Sequence, residues 1–213
     1  MSDNILDSIT QYIIKNYSCH TIILYGSHAR GDENSSSDYD FLGIRDAGEF
    51  ERDCHCFQGK FMDVFIYPEK MVLQEEPSLI RIKDGTVLVQ QGSLGDDLLT
   101  KIKQIFVKGP SPTPAWEKHE INTWAIKMGQ RSKQKDIEGN FRRHWLLHEL
   151  LECYFKLRDM WFLGPKESFQ WLLKNDLETY QAFDKALDPR ATSKNIEHLI
   201  NLIKTDTPKD ISC

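Results

Sequence analysis

The chain contains no run of roughly 18 or more consecutive apolar residues, the length a membrane-crossing helix needs, and so offers no transmembrane segment. Its opening stretch, MSDNILDSITQ, lacks the basic-then-apolar order of a secretory signal, and the expectation is a cytoplasmic protein. Cysteine is scarce and odd in number: Cys19, Cys54, Cys56, Cys153 and Cys213 are scattered through the chain. That excludes the dense, even framework of a small disulfide scaffold and favours reduced thiols. Cys54-His55-Cys56 has the outline of a metal clip, but no second pair supplies the remaining ligands of a zinc site, so it reads as part of a loop or strand. Positive charge is also in deficit, with 27 Lys and Arg against 32 Asp and Glu, a net charge of -5. Broad, sequence-independent binding of nucleic acid is therefore not expected, although one local RNA contact is compatible. There is no internal repeat, and low complexity is confined to a proline-rich linker and Ser35-Ser36-Ser37.

What is present is a chain of 213 residues, 40% hydrophobic, enough for one large or two small cores. The sharpest boundary is Gly109-Pro110-Ser111-Pro112-Thr113-Pro114, where three prolines interrupt helix and strand alike. The expected division is 1–109 and 115–213. Before the cut the chain carries 11 basic and 17 acidic residues, after it 16 and 15.

The first part mixes periodicities. Ile5, Leu6, Ile9, Tyr12 and Ile13 recur at helical spacing behind Ser2 and Asp3, which can cap the helix. Thr21 to Tyr25, Phe41 to Ile44, Phe61 to Tyr67 and Thr86 to Val89 read as strands. Pro68 is placed to end the third and open a helix through Met71 and Leu73, and Asp96 to Val107 reads as another helix. The second part reads as helices over Trp116 to Lys133, Asn140 to Phe162, a segment through Phe169, Trp171 and Leu172, and Asn195 to Ile203. The expected class is α+β, a small mixed-sheet domain followed by a helical bundle.

Chemistry concentrates between Leu24 and Ile44. A buried strand runs into Gly26-Ser27, a helix is expected at His28 to Arg30, a serine-rich loop follows, and Asp38-Tyr39-Asp40 enters the next strand. Gly26 lets backbone approach an anion, so its substitution is expected to affect nucleotide binding more than stability. The Ser27 hydroxyl and the backbone amides after it can donate to phosphate, and Arg30 adds a fixed fork. Asp38 and Asp40 are two apart, so an extended strand puts both carboxylates on one face, as hard oxygen ligands for magnesium. Asp63 lies in the apolar run Phe61 to Phe65, where an ionised carboxylate needs a cation or donors to meet it. A shared metal is one answer. The bland alternatives are a turn at Gly26-Ser27, a loop Asp-x-Asp and a salt-bridged Asp63.

Gly26-Ser27-His28-Ala29-Arg30-Gly31, followed after five residues by Ser37-Asp38-Tyr39-Asp40, resembles the signature of the polymerase-β-like nucleotidyltransferases, particularly the small prokaryotic kind that includes aminoglycoside and minimal nucleotidyltransferases. The resemblance spans residues 20 to 67. It implies that Gly26 and Ser27 hold a nucleoside triphosphate, that Asp38 and Asp40 bind magnesium, and that Asp63 on a later strand completes the site, with two Mg2+ ions and ATP as the expected nucleotide. The reaction it implies is transfer of AMP to a hydroxyl of a small-molecule acceptor. A homodimer is compatible with the sequence.

The second part resembles in layout the helical domain of kanamycin-type nucleotidyltransferases and, more distantly, HEPN domains. Arg142, Glu149, Glu152, Lys156 and Asp159 fall on one polar stripe, ordinarily a solvated face. The functional alternative has Glu149 or Glu152 as general base on the acceptor hydroxyl and Lys156 touching phosphate. Arg143 and His148 match the short R-x4-6-H pattern of HEPN ribonucleases, which frames a rival reading: a toxin-antitoxin-like protein that cuts or modifies RNA. A second rival is a nucleotide-binding module without turnover. Trp124, Trp145, Trp161 and Trp171 are expected in the bundle core.

Overall fold

In the computed structural model, residues 3–72 and 77–205 are described; Ser2 as a cap, Leu73 as a helical residue and the Cys213 thiol lie outside them. The chain separates into two units, Met1–Lys108 and Gly109–Cys213. In order, the first contains α1 (Asp3–Tyr17), β1 (Thr21–Tyr25), α2 (Gly26–Arg30), β2 (Tyr39–Arg45), β3 (Glu51–Phe57), β4 (Lys60–Pro68), α3 (Glu69–Val72), a 3-10 turn (Pro77–Ile82), β5 (Thr86–Val89) and α4 (Leu94–Lys108). The second contains α5 (Ala115–Arg131), α6 (Ile137–Leu157), α7 (Pro165–Asn175), α8 (Leu177–Leu187) and α9 (Ser193–Ile203). The fold is α+β.

The five strands form one mixed sheet in the order β3-β4-β2-β1-β5, with β2 and β4 parallel and the other neighbours antiparallel. β1 is buried along its whole length, which is why it reads as an unbroken apolar run rather than an alternation. Ile9 and Ile13 of α1 pack on one face against Ile22, Leu24, Phe41, Val64 and Ile66. α4 and the 3-10 turn lie against β1 and bring in buried Leu79, Ile82, Leu98 and Ile102.

β3 is an edge strand that the apolar pattern did not reveal. Its Glu51-Arg52-Asp53-Cys54-His55-Cys56-Phe57 alternates exposed with half-buried residues and carries three charges. Its hairpin to β4 turns on Gln58 and Gly59, both left-handed at φ 49° and 82°, as a two-residue turn that follows strand twist requires. Within β3, Cys54 and Cys56 share one face while His55 points to the other and pairs with Asp53 at 2.7 Å. The Cys-His-Cys segment is therefore strand, and Cys19, Cys54, Cys56 and Cys153 are free thiols.

In the helical unit, Leu146, Leu150, Tyr154, Phe155, Phe183 and Leu199 are among the buried core residues. α6 ends at Leu157, five residues before the expected Phe162. The backbone turns left-handed at Asp159 (φ 54°), whose carboxylate accepts from the Thr113 amide and from Lys118, each at 2.7 Å. Asp159 therefore leaves the helical stripe assigned to it. α8 was missed, although Asp176 caps it by accepting from the Thr179 amide at 3.1 Å. Trp124 and Trp171 pack on the core, Trp161 is half-buried, and Trp145 is 42% exposed, so it is not the core residue its apolar size suggested.

Candidate functional site

Gly26 begins α2 directly after β1, two residues earlier than the helix start expected at His28. Its φ of +71° is a left-handed conformation, and a Cβ there would run into the Asp40 carboxylate and come within 3.0 Å of Asp40 Cγ. Gly26 is thus favoured by the fold itself, so its substitution should cost stability as well as any effect on nucleotide binding. Ser27 is buried, and its carbonyl accepts the Asp32 amide at 3.1 Å as the chain leaves α2 through left-handed Gly31. His28 stacks on Tyr39 with centroids 3.8 Å apart. Arg30 lies 3.4 Å from Asp32. In the loop that follows, Asn34 and Ser37 exchange hydrogen bonds, which makes Ser37 a turn residue.

Asp40 and Asp63 are direct register partners on the parallel strands β2 and β4, and Tyr25 is the partner of Asp40 on β1. All three side chains therefore project from the sheet face opposite α1. Burial pushes the Asp40 carboxyl up to about 6, reinforced by the negative charges of Asp38 and then Asp63, while Arg81 and Arg30 pull it back. The sheet thus sets Asp40 beside Asp63, and Asp38, exposed just ahead of β2, adds its charge to the same neighbourhood.

The cation that meets Asp63 is Arg52. Its Nε donates to Oδ1 at 2.8 Å and its Nη2 to Oδ2 at 2.7 Å, a two-pronged pair across β3 and β4. The carboxylate in turn holds the Arg52 proton more tightly than usual. Arg81 lies 3.8 Å over the Phe65 ring and 5.6 Å from that of Tyr25, and its buried Nε has no hydrogen-bond partner. Sequence reading missed both arginines. The signal for Arg52 was its place opposite Phe65, visible once β3 is recognised; nothing in the sequence places Arg81.

Asp38 and Asp40 offer the hard oxygens that magnesium prefers, and the crowding at Asp40 is relieved by a cation. They fit such an ion. Asp63 fits when Arg52 yields at least one of its oxygens. Among the described residues the group of three possible ligand atoms within 4.8 Å of one another is instead His20, Asp46 and Glu69.

In the helical unit, Glu149, Glu152 and Lys156 line one cavity of about 360 Å³ with Glu117, Trp124, Trp145 and Cys153. Lys156 is engaged there by Glu117 at 2.6 Å. Burial, followed by the charges of Glu149 and Glu152, pushes the Cys153 thiol up to about 11. Arg142 instead pairs with Glu138 on its own helix, so the five-residue stripe reduces to three residues around a cavity. Arg143 donates to the carbonyls of Ala186 at 3.3 Å and Asp188 at 3.1 Å, where it closes the end of α8. Both it and exposed His148 line a separate cavity of about 370 Å³.

No family model matches the sequence, and no curated protein matches it. Among solved structures, the chain is similar to a nucleotidyltransferase-like protein from Exiguobacterium sibiricum 255-15, with 12% identity over 93% of this chain and 73% of that one, at a TM-score of 0.47. So distant a likeness carries no inference about activity. No helix among the described residues is long and apolar enough to cross a membrane.

Proposed function

We propose that the chain is a metal-dependent nucleotidyltransferase that moves a nucleoside monophosphate, AMP for preference, from a nucleoside triphosphate to a hydroxyl of a small acceptor. The observation that carries this reading is the register pair of Asp40 and Asp63 on parallel strands, with Gly26 packed against the Asp40 carboxylate. Asp38 and Asp40 would hold Mg2+, joined by Asp63 as Arg52 releases it. Bound magnesium supplies positive charge that stabilises the attacking and leaving oxygens of an in-line displacement.

The remaining roles fall to the chain's own groups. The turn at Gly26 and Ser27 receives the triphosphate, and Arg30 and Arg81, which already offset the charge at Asp40, face its phosphates. The acceptor oxygen forms a bond to the α-phosphorus as the bond to the pyrophosphate oxygen breaks. The acceptor's proton passes to a general base, which we assign to Glu149 or Glu152 of the helical unit.

The test is incubation of purified protein with Mg2+, each labelled nucleoside triphosphate and pools of hydroxylated acceptors. Transfer of label with release of pyrophosphate is expected, and its loss in folded Asp38→Asn and Asp40→Asn proteins. Undiminished transfer in both variants would overturn the assignment.

A further inference from the structure

The sheet has a second end, remote from Gly26 and Asp38. β1 runs antiparallel to β2, and β2 parallel to β4, so the start of β1 lies beside the ends of β2 and β4. His20 immediately precedes β1, its amide donating to the Ile44 carbonyl at 2.9 Å. Asp46 and Glu69 each follow the last paired residue of their strands, Arg45 and Pro68, which are register partners. Topology alone therefore brings one imidazole and two carboxylates to one spot.

His20 Nε2 lies 3.5 Å from Asp46 Oδ1 and 3.7 Å from Glu69 Oε2. These separations exceed the usual hydrogen-bond range of about 2.7 to 3.2 Å. They do suit donors that share a metal, since two bonds of about 2.1 Å at a tetrahedral angle set their donors about 3.4 Å apart. A second observation concerns the imidazole itself. Its Nε2 is buried and makes no hydrogen bond, whereas Nδ1 lies 3.0 Å from Thr21 Oγ1. That hydroxyl oxygen is held in turn by the Gln91 amide at 3.2 Å. An Nδ1–H donated to Thr21 leaves the Nε2 lone pair directed at the carboxylates, the arrangement of a ligating histidine steadied by an outer hydrogen bond.

We propose that His20, Asp46 and Glu69 form a site for a divalent transition-metal ion of the Zn2+ class, separate from the aspartates of the proposed active site. One nitrogen and two oxygen donors suit such an ion, with water completing the coordination from the exposed side of Asp46. The ion clamps the entry to β1, the exit from β2 and the start of α3, and so stabilises that end of the sheet by binding the folded chain alone.

Co2+, a visible-absorbing stand-in for Zn2+, tests this by titration into the full chain carrying Asp38→Asn and Asp40→Asn, so that the other carboxylate cluster does not compete. The expected result is one Co2+ per chain, d–d bands without thiolate charge-transfer absorption, and a higher melting temperature. His20→Gln and Asp46→Asn, each added to that background, should weaken Co2+ binding at least tenfold and abolish the rise in melting temperature. Asp46 is 85% exposed, so its variant tests the site without disturbing the core. Absence of Co2+ uptake by the folded protein would overturn the proposal. Binding unchanged in both variants, or binding with thiolate absorption that Cys54→Ser removes, would overturn it equally.

Discussion

Asp40 sits where two demands conflict. It lies half-buried against Gly26, yet it shares that space with the charges of Asp38 and Asp63, and partial burial with those neighbours raises its carboxyl to about 6. For an acid whose folded value exceeds its unfolded value of about 3.9, the folded chain keeps a proton that the unfolded chain has lost. Metal-free protein should therefore lose stability as pH rises from about 4 to 6, and the deficit persists at higher pH. Asp40→Asn removes that conflict. Without metal it should be more stable than wild type at pH 7, by on the order of 1 kcal/mol after allowance for solvent screening, with the difference vanishing near pH 4. Chemical denaturation at several pH values measures it, and a variant no more stable than wild type at pH 7 would show that the crowding costs nothing.

At the scale of elements, the edge strand changes the meaning of Asp63. The residue looked stranded in an apolar run because β3, the strand that supplies its counter-ion, has no apolar signature. Arg52 is half-exposed, so Arg52→Ala should alter stability little. If Asp63 is a metal ligand, the same variant should bind Mg2+ more tightly, because a competing cation is gone; calorimetry that finds unchanged affinity would return Asp63 to the role of an ion-pair partner. The helical unit has its own junction at Asp176, which caps α8 and also accepts from the Tyr154 hydroxyl at 2.7 Å. Burial acts to raise this carboxyl, but the donors of Tyr154 and Thr179 outweigh it and hold it below its usual range. Its contribution is therefore present at neutral pH and lost as pH falls through the depressed value. Asp176→Ala should cost about 1 to 2 kcal/mol at pH 7, and a thermal melt that matches wild type there would discount the cap.

At the scale of the whole molecule, the part of the proposal that a variant tests directly is the general base, assigned to Glu149 or Glu152. Replacing the base, whether Glu149 or Glu152, by Gln should slow single-turnover transfer by roughly 100- to 10,000-fold while nucleotide titrations stay near wild type. Two fully active variants would place the base elsewhere. Much of this architecture was legible in residue order. The full apolar run of β1, the break at the prolines and the helical periodicity of α1, α4, α5 and α9 depend on local preference, which a sequence carries in itself. So did the spacing of Gly26, Asp38 and Asp40, because a strand, a turn and the next strand lie within twenty residues. Contacts between distant segments were not legible in local pattern, and only the resemblance set Asp63 with Asp38 and Asp40. Strand order placed Asp63 beside Asp40, the polar edge strand brought Arg52 to Asp63, and the 3-10 turn carried Arg81 over Phe65. The same strand directions brought His20, Asp46 and Glu69 together from three separate connections. Local periodicity states which residues form a strand or helix; which strands become neighbours depends on how the whole chain buries its apolar faces, and that only the tertiary structure decided.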